Sequence, residues 1–177
     1  MTDRPLAQSL QAARRTTETA IELEEFPGHQ IRRIQQIAVA IFLQETEAYG
    51  ITPVQCAAMI TAGKGSGMDQ RTLARTIGFD TSTIADVIDR LEARELLRRS
   101  KSALDARVRL ITLTEKGREL LERLMPSVMR AQRRMLAPLS RAERAEFMRM
   151  LSKVVAANND LSRAPAVADA AGARVGS

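Results

Sequence analysis

The sequence predicts a mostly α fold with one small β-hairpin, on three observations. Aliphatic residues recur at helical spacing along most of the chain. Helix-start signals precede those stripes, including capping boxes at Thr52–Gln55 and Ser140–Glu143. Only one stretch, Arg107–Leu113, alternates as a strand does, and a basic pair, Arg98-Arg99, stands just upstream on the other arm. Composition agrees with this. Of 177 residues, 45% are apolar, yet there is no Trp, one Tyr and four Phe. The core must be built from Leu, Ile, Val, Ala and Met, which favours helices.

The elements follow in order. Residues 1–25 are polar and read as an arm or a short helix. Phe26-Pro27-Gly28 punctuates the chain, and a helix is expected from about His29 to Tyr49 with Ile31, Ile34, Ile37, Ala38, Ile41 and Phe42 on one stripe. Gly50 ends it. Thr52 caps the next helix, with Pro53 at the first helical position, and that helix stops before Gly63. The Gly63-Lys64-Gly65-Ser66-Gly67 run lacks the Gly-Lys-Ser/Thr order of a phosphate-binding loop and reads as a flexible connection. Asp69 opens a short helix containing Leu73, Ala74 and Ile77. Gly78-Phe79-Asp80 forms a turn, and a second helix runs from about Thr81 to Arg94. The hairpin pairs Leu97–Lys101 with Arg107–Leu113. Thr114 caps a long helix containing Pro126, where a kink is expected. The last helix, opened by Ser140, carries Phe147, Met150, Leu151, Val154 and Val155 as a buried stripe. The Ala-rich tail after about Asp160, with Gly and Pro165 in it, has the composition of a disordered segment.

Charge and rare residues narrow the function. Lys plus Arg is 27 against 21 Asp plus Glu, a net charge of +6, which suits a nucleic-acid partner. Most of the cations are Arg, the better phosphate fork. One Cys forms no internal disulfide, and one Cys with one His forms no zinc site of the usual ligand type. No apolar run approaches the roughly 20 residues of a membrane span, and no apolar signal region follows Met1-Thr2-Asp3-Arg4-Pro5. A cytoplasmic protein without membrane partner, metal or cofactor is expected. The lone His, the lone Cys in an apolar context and the absence of clustered paired carboxylates argue against an enzyme.

Residues 69–94 have the anatomy of a helix-turn-helix. Small Ala74 allows a close crossing and Gly78 the turn. On the second helix Ile84, Val87, Ile88 and Leu91 share one face. The opposite face carries Ser82, Ala85, Asp86 and Asp89, flanked by Thr83 and Arg90. With Thr81 at its start, such a helix can reach base edges in a major groove, and its free N–H groups can face phosphate. An ordinary amphipathic helix with a solvated face shows the same pattern. The hairpin that follows favours the DNA reading. Arg107, near its tip, can enter a narrow A·T minor groove, steadied by Asp105. Arg98, Arg99, Lys101 and Arg109 lie nearby for phosphate.

The stretch from Ile51 to Gly117 resembles the MarR family. The resemblance rests on Leu73-Ala74, Leu91-Glu92, Asp105-Ala106-Arg107 and Leu113-Thr114-Glu115-Lys116-Gly117. It implies a winged helix-turn-helix lobe with a helical dimerisation region. The expected organisation is an arm (1–25), a dimerisation helix with a linking helix (26–61), the DNA-binding lobe (62–113), C-terminal dimerisation helices (114–160) and a tail (161–177). It also implies a homodimer on double-stranded, palindromic operator DNA, usually a repressor, often responding to a small molecule. Two positions depart from the family pattern. Glu95 stands where Gly is common, which questions a left-handed cap there. Asp86 stands where a basic or polar residue often sits; it can accept from cytosine N4 or pair with Arg90.

The first helix, from Gly28 to Phe42, is similar to that of members controlling aromatic-compound catabolism, implying a small aromatic carboxylate effector. His29, Arg32, Arg33 and Gln36 are its candidate polar contacts and Met59 one of its apolar ones. Alternatively, the polar residues are solvated or bridge a dimer. Two other readings stay open: an architectural DNA-binding protein without an effector, and a redox-responsive regulator acting through Cys56. The apolar neighbours of Cys56 favour burial over reactivity.

Overall fold

The computed structural model describes residues 22–65, 67–101 and 107–162. The chain divides into two units, with the boundary between Ile37 and Ala38. In the first unit, a 3₁₀ turn at Leu23–Glu25 precedes helix α1, Pro27–Thr46. Pro27 is suited to a helix start because its φ is already helical and it has no N–H to leave unpaired. Gln30 Nε2 donates to the Glu24 carbonyl at 2.8 Å, tying the turn to the helix. The stripe expected on this helix is not buried within the chain: Ile31, Ile34 and Ile37 are all exposed.

The second unit begins partway along α1, where Phe42 is buried. A 3₁₀ turn, Glu47–Tyr49, ends at Gly50 in the left-handed region. Helix α2, Pro53–Ala62, starts on the expected capping box. Gln55 N donates to Thr52 Oγ1 at 3.3 Å, and Thr52 N donates to Gln55 Oε1 at 3.0 Å. Strand β1, Met68–Asp69, helix α3, Gln70–Ile77, and helix α4, Thr81–Ala93, follow. Strands β2, Leu97–Lys101, and β3, Arg109–Leu113, form the hairpin. Helix α5, Glu115–Met135, runs through Pro126, and helix α6, Arg141–Asn158, is followed by a 3₁₀ turn at Asn159–Leu161.

The three strands form an antiparallel sheet in the order β1-β3-β2. Two differences from the sequence reading stand out here. Strand β3 starts at Arg109, with Arg107 in the turn before it. Strand β1 pairs Met68 with Ile111 and Asp69 with Leu110; two residues are too few to show alternation. Gly67 makes that approach possible. It has φ +105°, and a Cβ there would meet Thr112 Cγ2 at 2.7 Å. The end of the glycine-rich run is therefore a close backbone contact as well as a connection.

The core lies where α2, α3, α4, α5 and the sheet converge. Met59, Leu73, Ile84, Ile88, Leu91, Leu97, Ile111 and Leu124 are all fully buried there. Burying each such side chain contributes roughly 1.5–3 kcal/mol. Helix α6 corrects the sequence reading. None of its residues is buried, and Met150, Val154 and Val155 are exposed while Phe147 and Leu151 are half-buried. Among the described residues, its amphipathic stripe is left largely uncovered.

Candidate nucleic-acid interface

Two aspartates start the two helices that would meet DNA. Asp69 caps α3, accepting from Thr72 N at 3.0 Å and Thr72 Oγ1 at 2.6 Å. The chain then reverses at Gly78, which is left-handed at φ 73°. Asp80 caps α4 more completely. Its Oδ1 accepts from Ser82 Oγ at 2.6 Å and Thr83 N at 2.8 Å, and its Oδ2 accepts from Thr83 Oγ1 at 2.7 Å. The Ser82 hydroxyl, then the Thr83 N–H and hydroxyl, hold the Asp80 carboxyl far below the usual carboxylate range. The N–H of Thr83 is thus taken by the cap. Asp80 is absent from the sequence-derived site, where Gly78-Phe79-Asp80 reads as a turn. The available signal was Asp followed two and three residues later by Ser and Thr, a capping pattern.

Helix α4 buries Ile84, Val87, Ile88 and Leu91, as its periodicity requires. Thr81, Ser82, Thr83, Asp86, Asp89 and Arg90 are exposed. Among the described residues Asp86 and Arg90 are not paired to each other, so the ion pair considered for them does not form.

Arg99, expected near phosphate, is engaged by carboxylates of α4 in this structure. It is half-buried, its guanidinium reaches Asp89 at 2.6 Å and also pairs with Glu92, and its N–H donates to Glu92 Oε1 at 3.0 Å. Asp89 and Glu92 stand one turn apart on α4, so Arg99 braces strand β2 against that helix. Arg98 is on the opposite side of the strand, exposed, with Nε donating to Thr112 Oγ1 at 3.2 Å. Lys101, Arg107 and Arg109 are also exposed. The structure thus gathers Arg98, Lys101, Arg107 and Arg109 along the hairpin; Asp105 lies outside the described residues.

The end of α4 resolves the question raised by Glu95. It keeps the left-handed cap without glycine, at φ 59°. Glu95 N donates to Glu92 O at 2.8 Å and Leu96 N to Leu91 O at 2.9 Å, a Schellman pairing. Its carbonyl accepts from Thr114 Oγ1 at 2.6 Å and its carboxylate from Lys116 at 2.7 Å. These contacts hold a conformation that a residue with a Cβ otherwise resists.

The expected effector contacts are not of one kind. Arg32, Arg33 and Gln36 are exposed on α1 and His29 is half-buried. Met59 is completely enclosed by the core, because α2 packs under α3 and α4, so a ligand reaches it only if that core opens. Cys56 is also buried, and burial pushes its thiol up to about 11. Because the thiolate is the reactive form, Cys56 in the native protein should react with a disulfide reagent at pH 7.5 only as fast as the protein unfolds. Rapid labelling without denaturant would restore the redox reading. Among the described residues no cluster of His, Cys, Asp and Glu could hold a metal, and no helix is long and apolar enough to cross a membrane.

Known proteins share this arrangement. The sequence pattern of the MarR family matches residues 51–108. The HTH-type transcriptional repressor NicR of Pseudomonas putida is 28% identical over 137 residues, covering 77% of this chain and 87% of NicR. The structure of the PcaV transcriptional regulator of Streptomyces coelicolor, solved with its natural ligand, superposes with a TM-score of 0.73 at 34% identity, covering 79% of this chain and 99% of PcaV. BpsR of Bordetella bronchiseptica, whose DNA binding is regulated by 6-hydroxynicotinic acid, gives a TM-score of 0.72 at 31% identity, covering 75% of this chain and 95% of BpsR. With the capped helix pair and basic hairpin in place, these matches identify the chain as a member of the MarR family of transcriptional regulators.

Proposed function

We propose that the protein is a homodimeric repressor that binds a palindromic operator and is released by a small aromatic acid. The observation that carries the DNA half is α4 itself: one face fully buried, the other polar and exposed from its first turn, with a basic hairpin attached. In this reading Thr81, Ser82, Thr83, Asp86 and Arg90 face base edges. Arg98 and Lys101 meet phosphate, and Arg107, steadied by Asp105, enters the minor groove. Arg99 keeps the hairpin at its angle. Repression is favoured by the likeness to NicR. In a symmetric dimer the two recognition helices stand about one DNA turn apart, roughly 34 Å.

The wing gives a direct test. Arg107→Ala is expected to weaken binding more on A·T-flanked than on G·C-flanked operators, since the narrow groove supplies the potential it reads. Arg98→Ala weakens all sequences alike, because a phosphate contact carries no sequence information. Equal affinity of Arg107→Ala and the parent protein on every operator rules out insertion of the wing.

The effector half rests on the likeness to BpsR and on the polar edge of α1. His29, Arg32, Arg33 and Gln36 offer cations and an amide to a carboxylate. Release requires that the acid bind the DNA-free state better, and such couplings are about 1–3 kcal/mol, roughly 5- to 150-fold. By reciprocity the operator weakens acid binding by the same factor. Calorimetric titration of a panel of aromatic acids, with and without operator, measures both. An acid that binds equally in the two titrations is not the effector. Footprints without sequence preference would favour an architectural protein instead.

A further inference from the structure

Resting on the reading of α4 as the helix that enters the major groove, we infer that it selects operator bases by their exocyclic amino groups, cytosine N4 or adenine N6, through acceptor atoms of Ser82, Thr83 and Asp86. A serine or threonine hydroxyl has one proton and two lone pairs. Ser82 Oγ lies 2.6 Å from Asp80 Oδ1, and Thr83 Oγ1 lies 2.7 Å from Asp80 Oδ2. An ionised carboxylate has no proton to offer, so both hydroxyls must be the donors in these short, charge-assisted bonds. What remains on each hydroxyl is its lone pairs.

Asp86 extends the same chemistry. It follows Ser82 by four residues, one turn along the helix, and is exposed. As a carboxylate it too only accepts. Asp89, the next acid on that face, is neutralised by Arg99 at 2.6 Å. Ser82, Thr83 and Asp86 therefore present acceptors along this face, and of the first-turn hydroxyls only that of Thr81 is not committed to Asp80. In the major groove the donors are the amino groups of cytosine and adenine, whereas guanine O6 and N7 and thymine O4 are acceptors. Acceptors from this helix attract the first pair and repel the second. Asp80 touches no base in this scheme. It is a positioning residue that fixes which way the hydroxyl protons point.

Selection of binding sites from randomised duplexes tests this with the full chain. The parent protein should enrich one symmetric site. Asp86→Asn should change one symmetric pair of positions from cytosine to adenine, because an Asn amide pairs with adenine N6 and N7. Ser82→Ala should relax a neighbouring position. Asp80→Asn keeps a competent helix cap, but its amide can donate to one hydroxyl and free that proton, so guanine or thymine should become tolerated where Ser82 or Thr83 reads. Replacing the affected cytosine by an analogue with hydrogen in place of the N4 amino group should cost the parent protein about tenfold and Asp86→Ala nothing further. An enriched site left unchanged by Asp86→Asn, Ser82→Ala and Asp80→Asn overturns the inference while operator binding stands. A pool with no enriched site overturns operator binding itself, and this inference with it.

Discussion

Gly117→Ala is expected to lower the unfolding midpoint by about 10 °C, the effect of roughly 3 kcal/mol in a chain of this size. The cause is a collision with backbone. A Cβ at position 117 would stand 2.1 Å from the Leu96 carbonyl oxygen and 3.0 Å from Leu113 Cδ2. A flexible side chain could move aside, but Leu96 cannot. Its N–H closes the cap of α4, its carbonyl accepts from Thr114 N at 3.2 Å, and its side chain is 2% exposed. Gly117 thus lets the first turn of α5 press against the turn between the recognition helix and the hairpin. Relief by moving α5 outward would loosen the seat of the hairpin, so operator affinity should fall with stability. Arg118→Ala, on the same turn but exposed, should change neither appreciably. Thermal unfolding of the three proteins decides it. A Gly117→Ala midpoint matching the parent would mean that the contact between α5 and Leu96 is looser than it stands here.

That residue also marks where sequence reasoning stops. The motif Leu113-Thr114-Glu115-Lys116-Gly117 carried the family resemblance, and the cap by Thr114 was legible because a cap and its partner lie three residues apart. The reason for glycine was not, because it lies in Leu96, across the hairpin. The same division holds elsewhere. Thr52, Asp69, Thr114 and Ser140 start helices by local chemistry and were all legible. Arg99 was read as a phosphate contact because its charge is visible in sequence, while its pairing to Asp89 and Glu92 depends on how β2 docks on α4. Strand β1 is not legible in sequence because only two residues pair, Met68 with Ile111 and Asp69 with Leu110, far along the chain. At Glu95 the sequence departs from the family's glycine, yet the backbone stays left-handed, since Thr114 and Lys116 reach it from the next helix. The buried stripe expected on α6 followed from correct periodicity; periodicity says that a face needs covering, not which molecule covers it.

A second copy of the chain is the proposed cover, and its removal should have the largest effect on function. Val154 and Val155 are 54% and 63% exposed, and Met148 and Met150 beside them about half exposed. A monomer rarely leaves so continuous an apolar face in water. Val154→Glu paired with Val155→Glu should leave the circular dichroism spectrum and the unfolding of an isolated chain nearly unchanged, because both side chains are more than half exposed in it. In a two-fold dimer the same change buries acids from both copies against one another and strips them of water. The dimer should therefore separate, as light scattering or sedimentation will show. Operator affinity should then fall by roughly 10²–10⁴, since each lobe loses the effective concentration supplied by its partner. The remaining binding should lose salt sensitivity as well, because a single lobe neutralises about half as many phosphates and the slope of log affinity on log salt scales with that number. A double-Glu variant that stays dimeric and binds at full strength would place the interface elsewhere. A monomer that keeps full affinity for a palindromic site would show instead that each lobe is sufficient alone, and the two-fold operator would lose its physical basis.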